Sequence, residues 1–296
     1  MKESISQKAS QTGSQPGINV DKLKRIPEKA VKQAMLISLS IGVLFPLYFM
    51  FSSAFKSRLN FNQNQLAIPK TLNFENFLNV LQHPNLVDWF RNSLILTGVS
   101  VLLTTTISLL AAYAFGTMVF RGRNTLFNLI TPLMVIPPIV MIIPLFVLFQ
   151  HYGLVNNLWG TILIYSGLML PFTIFLLRSF VVTIPREILE AAQIDGANEF
   201  QLMVLILLPL LRPALITSMI VNAVWVWNEL LIALVFLQEG ELRTLIVGIS
   251  TGLQKRFSLD VPALMAGLAI ATIPMILLYV IGQNALVRGL TAGFER

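Results

Sequence analysis

Long uncharged apolar runs are the feature that most constrains how this chain can fold. One of them lies between Arg91 and Arg121 and contains no charged residue. A helix of about 20 apolar residues crosses the hydrocarbon core of a bilayer and satisfies its backbone polar groups internally. Runs of this kind predict membrane-spanning helices rather than the core of a soluble domain.

Six apolar runs follow one another along the sequence, and Glu229 in the fifth is their only charged residue. They predict spans over about residues 33–55, 92–120, 126–149, 158–177, 213–237 and 261–282. The composition agrees, because 55% of the residues are hydrophobic and only 12% are charged. We therefore predict an all-α membrane protein whose six transmembrane helices form one domain over residues 33–287.

Proline is frequent in the third predicted span, at positions 132, 137, 138 and 144. Each proline removes a backbone hydrogen bond, which a membrane helix tolerates where neighbours or a wet cavity satisfy the freed groups. The pattern is typical of a span that borders a pathway, although proline is common in membrane helices generally.

Charge predicts the orientation of the spans. With both termini inside, the inner segments carry twice as many lysines and arginines as the outer ones. The net charge of +7 is scattered over span ends and the first 32 residues, so no nucleic-acid-binding stripe is predicted. Two outer segments, residues 56–91 and 239–260, are long enough to form structured surface.

The two ends of the chain are polar. We predict that residues 1–32 form a cytoplasmic tail. Its polar composition up to about Arg25 is typical of disordered sequence. The basic stretch Leu23–Lys32 is consistent with either a short helix on the membrane surface or a solvated segment. Residues 288–296 predict a cytoplasmic C-terminal tail. No removable signal peptide is evident, so we expect the first span to insert uncleaved.

The polar segment of residues 184–209 separates two apolar spans. Pro185 and Glu187 suit the start of a helix, and Asp195-Gly196 suits its end. Asn198 can cap a second helix. Ala191, Ala192 and Gly196 are small enough for another protein to approach the backbone closely. A solvated loop remains an equally good reading on physical grounds alone.

Signatures of catalysis are missing from the sequence. It contains no phosphate-binding G-x-x-x-x-G-K-[ST] loop, no G-x-S-x-G and no cysteine, and its two histidines are far apart. We therefore predict a non-catalytic chain without a metal site.

One polar cluster falls within the fifth predicted span: Asn222, Trp225, Asn228 and Glu229. A carboxylate inside a membrane is costly and faces the bundle interior or a wet cavity. Amide, carboxylate and aromatic groups together suit a sugar, so these four residues are a hypothesis for the substrate pathway. The alternative is polar contact between helices combined with an aromatic belt near the interface.

The sequence of the polar segment 184–209 resembles the cytoplasmic loop of ABC-importer permeases, and we therefore call this segment the coupling loop. That pattern is Glu-Ala-Ala, three residues, Gly, nine residues, then Ile-x-Leu-Pro. It is matched at Glu190-Ala191-Ala192, Gly196, Ile206, Leu208 and Pro209. The resemblance implies a coupling helix that sits in a cleft of an ATP-hydrolysing subunit, with Glu190, Ala191, Ala192, Asp195 and Gly196 as docking residues.

Further pieces resemble the carbohydrate, maltose-type branch of these permeases. They are Asn92-Ser93, Ala111-Ala112-Tyr113-Ala114, Pro137-Pro138, Pro144, Leu170-Pro171-Phe172, Trp227-Asn228-Glu229 and the tail Val287–Gly293. The last three residues, Phe294-Glu295-Arg296, depart from the family's usual ending, which leaves open how the tail meets the ATPase.

The resemblance implies a sugar or oligosaccharide importer in a bacterial or archaeal cytoplasmic membrane. Its partners would be two ATP-binding subunits, a second permease and an external solute-binding protein. ATP and magnesium would be bound by the ATPase, with no cofactor in this chain. The alternative is a secondary transporter driven by an ion gradient, with Glu229 as the ion site.

Overall fold

The computed structural model describes residues 20–252 and 260–291, and the side chains of residues 29–252 and 260–283. All regular structure in this part of the chain is helical. The helices are α1 (Val20–Ala54), α2 (Arg58–Gln63), α3 (Glu75–Leu81), α4 (Leu86–Thr117), α5 (Arg123–Ile130), α6 (Pro138–His151), α7 (Leu158–Val181), α8 (Arg186–Ile194), α9 (Glu199–Gln201), α10 (Leu208–Leu210), α11 (Arg212–Asn228), α12 (Leu231–Phe236), α13 (Leu245–Gly252) and α14 (Val261–Thr291). Of the predicted tails, residues 1–19 and 292–296 lie outside the described residues. Residues 20–32, predicted as disordered up to about Arg25, are helical and belong to α1, and residues 288–291 belong to α14.

Two units make up the chain, one ending at Phe49 and the other running from Met50 onward. Helix α1 is continuous from Val20 to Ala54. The stretch Leu23–Lys32 is therefore part of the same helix as the first predicted span and not a separate surface helix. The stretch contains Pro27, but the good helix formers Ala30, Lys32 and Ala34 that follow it favour continuation of the helix.

Four helices are long and apolar enough to cross a membrane. They cover Lys29–Ala54, Leu86–Thr117, Leu158–Val181 and Val261–Gln283. Two bent helix pairs raise the number of candidate spans among the described residues to six if each pair counts as one span. The fold class that the sequence predicts is thus confirmed.

The third predicted span, residues 126–149, is broken. Helix α5 runs into a 3-10 turn at Thr131–Val135, and α6 begins at Pro138 after a bend of 104°. Pro137 lies between the two in extended conformation. A proline pushes the residue before it towards extended backbone and donates no hydrogen bond itself, so consecutive prolines end one helix and start another.

The fifth predicted span, residues 213–237, is also interrupted. Helix α11 ends at Asn228, Glu229 is extended, and the short helix α12 begins at Leu231. Both oxygens of the Glu229 carboxylate accept backbone N–H groups at the start of α12. The acidic side chain thereby satisfies donors that a new helix leaves free, and the chain can start one here.

The centre of the larger unit is the pairing of α4 with α7. Small polar residues let the two backbones approach: Ser100 donates to the Ile162 carbonyl and Thr104 to the Ser166 carbonyl. At the end near the coupling loop, a Cβ atom on Gly116 would lie 2.3 Å from Val181 Cγ1. The two helices are therefore in close contact along their shared length.

At the other end of α4, the two long connecting segments pack together. Trp89, only 1% exposed, donates from its indole nitrogen to the Gly240 carbonyl at 2.7 Å. Asn92 donates to the carbonyls of Glu241 and Arg243. Ser93 accepts the N–H group of Leu245 at 2.8 Å. The start of α4 thus fixes the segment that leads into α13.

Candidate functional site: the coupling loop and the polar cluster of the fifth span

The coupling loop folds as two helices separated by a glycine turn. Helix α8 ends at Ile194, and Gly196 follows with a φ of +88°, in the left-handed region that favours glycine. Asn198 then caps α9, because its side chain accepts the Gln201 N–H while the Gln201 side chain accepts the Asn198 N–H. Sequence and structure agree on this helix–turn–helix arrangement.

The five predicted docking residues lie together on this turn. Glu190, Ala191, Asp195 and Gly196 are exposed, and Ala192 is half-buried. The loop is anchored by Leu189 of α8 and by Ile184 just before that helix, which pack against a buried cluster that includes Ala112, Leu177 and Leu207. The loop therefore presents its small and acidic residues outward from a fixed base.

Large apolar side chains are also exposed on the loop. Ile188 is 42% exposed, Phe200 69% and Ile194 86%. These residues surround the docking residues in sequence, and their exposure is what a surface covered by a partner presents before assembly.

A cavity of about 300 Å³ lies behind α8, between the loop and the ends of α4 and α7. Arg123, Arg178 and Arg186 line it together with Glu190 and Glu199. Arg178 is held by its Nε donating to the Phe115 carbonyl at 3.3 Å, and its guanidinium lies 4.0 Å from the centre of the Phe127 ring. The loop thus rests on α4 and α7 around a polar, incompletely filled space.

One direct hydrogen bond joins α4 to the coupling loop beside this cavity. The hydroxyl of Tyr113 in α4 donates to the carboxylate of Glu199, the first residue of α9. Tyr113 is 6% exposed and belongs to the buried cluster under the loop. This contact was not predicted from the sequence, because no short-range pattern links residues 86 positions apart.

After α9 the chain widens into a π-helix at Leu202–Leu207, and α11 begins beyond α10 at a bend of 75°. Leu202 and Leu207 are buried. Wide helical turns of this type often occur at functional sites. The second half of the coupling loop is therefore joined to the fifth span through irregular rather than uniform helix.

The polar cluster of the fifth span is only partly brought together. Asn222 is 3% exposed, and its side chain donates to the Thr173 hydroxyl in α7 at 2.9 Å. Asn228 is exposed and donates to the Val224 carbonyl of its own helix. The contact of Asn222 is of the kind that the alternative reading, polar contact between helices, describes.

Glu229 and Trp225 meet around a tyrosine that the sequence did not single out. The Tyr165 hydroxyl donates to Glu229 Oε2 at 2.6 Å, and the Tyr165 and Trp225 rings meet edge to face at 5.6 Å. With the backbone donors of Leu231, Ile232 and Ala233, both carboxylate oxygens have hydrogen-bond partners. In this structure the four pathway residues make intramolecular contacts, and their assignment to substrate stays a prediction.

Trp227, which lies next to this cluster in the sequence, is buried. It is 2% exposed, and its indole nitrogen donates to the Ala271 carbonyl of α14 at 3.0 Å. Among the described residues no group of three or more histidine, aspartate or glutamate side chains could hold a metal ion.

The spans, the bent pairs and the exposed helix–turn–helix loop are those of a multi-span helical membrane protein. The particular family follows from comparison with known proteins. The model of the family "binding-protein-dependent transport system inner membrane component" matches residues 104–292, and the chain belongs to this family. It is therefore a permease component of ABC importers. The match gives no support to a transporter driven by an ion gradient.

Similar proteins cover nearly the whole chain. The diacetylchitobiose uptake system permease DasC of Streptomyces coelicolor is 33% identical over 87% of this chain and 93% of its own length. The melibiose/raffinose/stachyose import permease MelC of Bacillus subtilis is 30% identical over 84% of this chain and 90% of its own length. The structure of a bacterial ABC transporter that imports the acidic polysaccharide alginate has a chain with the same fold. Its TM-score is 0.78 at 24% identity, over 90% of this chain and 97% of that one.

Proposed function

We propose that this chain is the permease subunit of an ATP-driven importer that takes up a sugar or oligosaccharide delivered by an external binding protein. The observation that carries the proposal is the exposed coupling loop. It presents Glu190, Ala191 and Gly196 at the surface and is anchored by Leu189. A small, exposed helix–turn–helix segment that is anchored to the rest of the protein is suited to a cleft in another subunit.

The partner we propose for this loop is an ATP-hydrolysing subunit. The exposed side chains of Ile194 and Phe200 would be buried when the loop docks, which adds a hydrophobic contribution to the contact. Two ATP-binding subunits, one on this chain and one on a second related permease, complete the inner side. ATP and magnesium are bound by those subunits.

The substrate class rests on relatives. The permeases named above serve the import of diacetylchitobiose and of melibiose, raffinose and stachyose in their own organisms. Further relatives are named for arabinooligosaccharides. Because every substrate in these names is a sugar or oligosaccharide, a carbohydrate is the substrate that we propose for this chain.

Orientation follows from the distribution of positive charge. With the coupling loop on the cytoplasmic side, both termini are cytoplasmic, and the two long connecting segments face the binding protein. The lysine- and arginine-rich inner segments favour this arrangement in a bacterial or archaeal cytoplasmic membrane.

The mechanism that fits these parts is alternating access. ATP binding closes the two ATPase subunits and draws the coupling loops together. The spans attached to the loops then open outward while the loaded binding protein releases its sugar. ATP acts at one end of this two-state element and the binding protein at the other, which is the requirement for coupling between two sites.

The test is capture of the affinity-tagged chain after extraction in mild detergent, followed by mass identification of the proteins that remain bound. We expect an ATPase subunit and a second six-span permease. The matched control is the variant Gly196→Pro, which disrupts the left-handed turn and should retain the second permease but lose the ATPase. Recovery of the wild-type chain alone, in a form that still transports, would overturn the proposal.

A further inference from the structure

The hydrogen bond between Tyr113 and Glu199 joins two elements with different roles. Glu199 stands at the first position of α9, in the coupling loop, and apart from this bond its side chain is on an exposed turn. Tyr113 is buried near the end of α4. The bond therefore connects two parts of the chain directly. One is the loop that the proposed ATPase would move, and the other is a membrane-spanning helix.

Helix α4 is in turn held tightly to α7 at this level. Gly116 leaves no room for a Cβ atom against Val181, and Arg178 of α7 donates to the Phe115 carbonyl of α4. Interdigitated contacts of this kind resist sliding, because any displacement creates overlap or a void. A displacement of Tyr113 is therefore expected to move α4 and α7 together.

Apart from the apolar contacts of Leu189, Leu202 and Leu207, the space beneath the loop is only partly filled. The cavity of about 300 Å³ separates parts of α8 and α9 from the ends of α4 and α7, so close packing does not fill this space. On the chain itself, the glycine turn precedes α9 and the π-helix follows α9. Both are irregular connections, whereas the Tyr113–Glu199 bond is a direct cross-link to the bundle.

We propose that Tyr113 and Glu199 are positioning residues that transmit movement of the coupling loop to the paired helices α4 and α7. The inference rests on the proposed function, because it concerns the same loop, but it assigns a role to two residues outside the docking surface. Apolar contacts of Leu189 hold the loop on the bundle, while the hydrogen bond fixes the position of α9 relative to α4.

The first test is uptake per ATP hydrolysed in the reconstituted complex. We expect Glu199→Ala to assemble normally, since Glu199 is exposed, and to lower substrate transported per ATP by about tenfold, a usual size for coupling between sites. Glu199→Gln keeps an oxygen that accepts the Tyr113 hydroxyl and should restore most of that loss. The comparison separates the hydrogen bond from the charge.

Removal of the other partner should have the same consequence. Tyr113→Phe keeps the buried ring and loses only the hydroxyl, and combined with Glu199→Ala it should cause little further loss, because the bond is already absent. Tyr152→Phe, at an exposed tyrosine on a distant turn, is the matched control and should transport normally. Full uptake per ATP by Glu199→Ala would overturn the proposal even if Tyr113→Phe failed to fold.

A distance measurement tests the transmission itself. The native chain has no cysteine, so spin labels can be placed at Gln193→Cys in α8 and Leu110→Cys in α4, both exposed. We expect one narrow label-to-label distance with and without trapped ATP, and a broad or shifted distribution in the Glu199→Ala background. The same narrow distribution in that background would contradict the role. An absence of substrate-stimulated ATP hydrolysis in the wild-type complex would instead count against the proposed function.

Discussion

Tyr165 in α7 donates a hydrogen bond of 2.6 Å to the carboxylate of Glu229, the residue at which the helix of the fifth span stops. The same carboxylate accepts backbone N–H groups from Leu231, Ile232 and Ala233. An acidic residue in the membrane region usually suggests an ion or proton site. Here its bonds show a structural use, which starts α12 and ties it to α7.

Substitution of Glu229 should therefore act first on stability. Glu229→Ala leaves the N–H donors of α12 and the Tyr165 hydroxyl without their partner, so we expect the free energy of unfolding to fall by about 2–3 kcal/mol. Thermal unfolding of the purified complex in detergent measures this. Tyr165→Phe removes one bond and should cost less. An unchanged melting midpoint for Glu229→Ala would contradict the structural role.

Gly196 tests the shape of the coupling loop. No atom lies within 4 Å of the place where a Cβ would stand, so Gly196→Ala meets no clash. Its φ of +88° strains any residue with a Cβ by about 1–2 kcal/mol. We expect weaker association with the ATPase, measured by co-purification. The control is Gly98→Ala, a helical glycine that also has open space. Equal ATPase recovery from the two variants would argue against a role for the turn geometry.

Trp89 packs closely against Gly248 at the end of α4 away from the coupling loop. A Cβ atom on Gly248 would lie 2.1 Å from Trp89 Cδ2. Gly248→Ala forces α13 away from α4, and we expect a loss of about 1–3 kcal/mol of unfolding free energy from overpacking. Gly240→Ala, where the nearest atom is 3.6 Å away, should cost less. Similar thermal midpoints for both variants would show that the structure relaxes around the added methyl group at position 248, and would contradict the predicted overpacking.

His83 gives the same region a dependence on pH. Burial lowers the pKa of its imidazole, its ring centre lies 4.4 Å from that of Trp89, and Nδ1 accepts the Asn85 N–H group. Because the folded protein disfavours the protonated form, stability is full above the unfolded pKa of about 6.5 and decreases as the pH falls below it. His83→Gln should flatten the profile of melting midpoint against pH between about 7 and 5. A profile that is unchanged by His83→Gln would rule out this histidine as the source.

Much of the architecture was predictable because the length of an apolar run and the residues that cap a helix can be identified within short stretches of sequence. The spans follow from uncharged runs, and the turn of the coupling loop follows from Asp195-Gly196 and Asn198. The interruption at Glu229 also has a local sequence feature that predicts it, although we did not recognise it. A carboxylate there lies two to four residues before the N–H donors that it caps at the start of α12. The prolines of the third span predicted lost backbone hydrogen bonds, but not the break and the 104° bend.

Contacts between distant parts of the chain were not predictable in this way. Tyr113 meets Glu199 and Tyr165 meets Glu229 because helices pack side by side, and nothing near either residue in sequence fixes which helix becomes its neighbour. Asn222 illustrates the same limit: its polarity suggested a substrate contact, while its amide donates to Thr173 across the helix pair. Such pairings depend on the tertiary packing that the apolar pattern alone does not encode.

The most direct measurement of the central claim is sugar uptake into proteoliposomes that contain the captured complex and the external binding protein. ATP is enclosed and ion gradients are abolished with ionophores, and a panel of labelled oligosaccharides is supplied outside. The account predicts uptake of at least one sugar that requires both ATP and the binding protein and persists without any gradient. Uptake that is driven by an imposed ion gradient in the absence of ATP, and that is lost in Glu229→Gln, would contradict it.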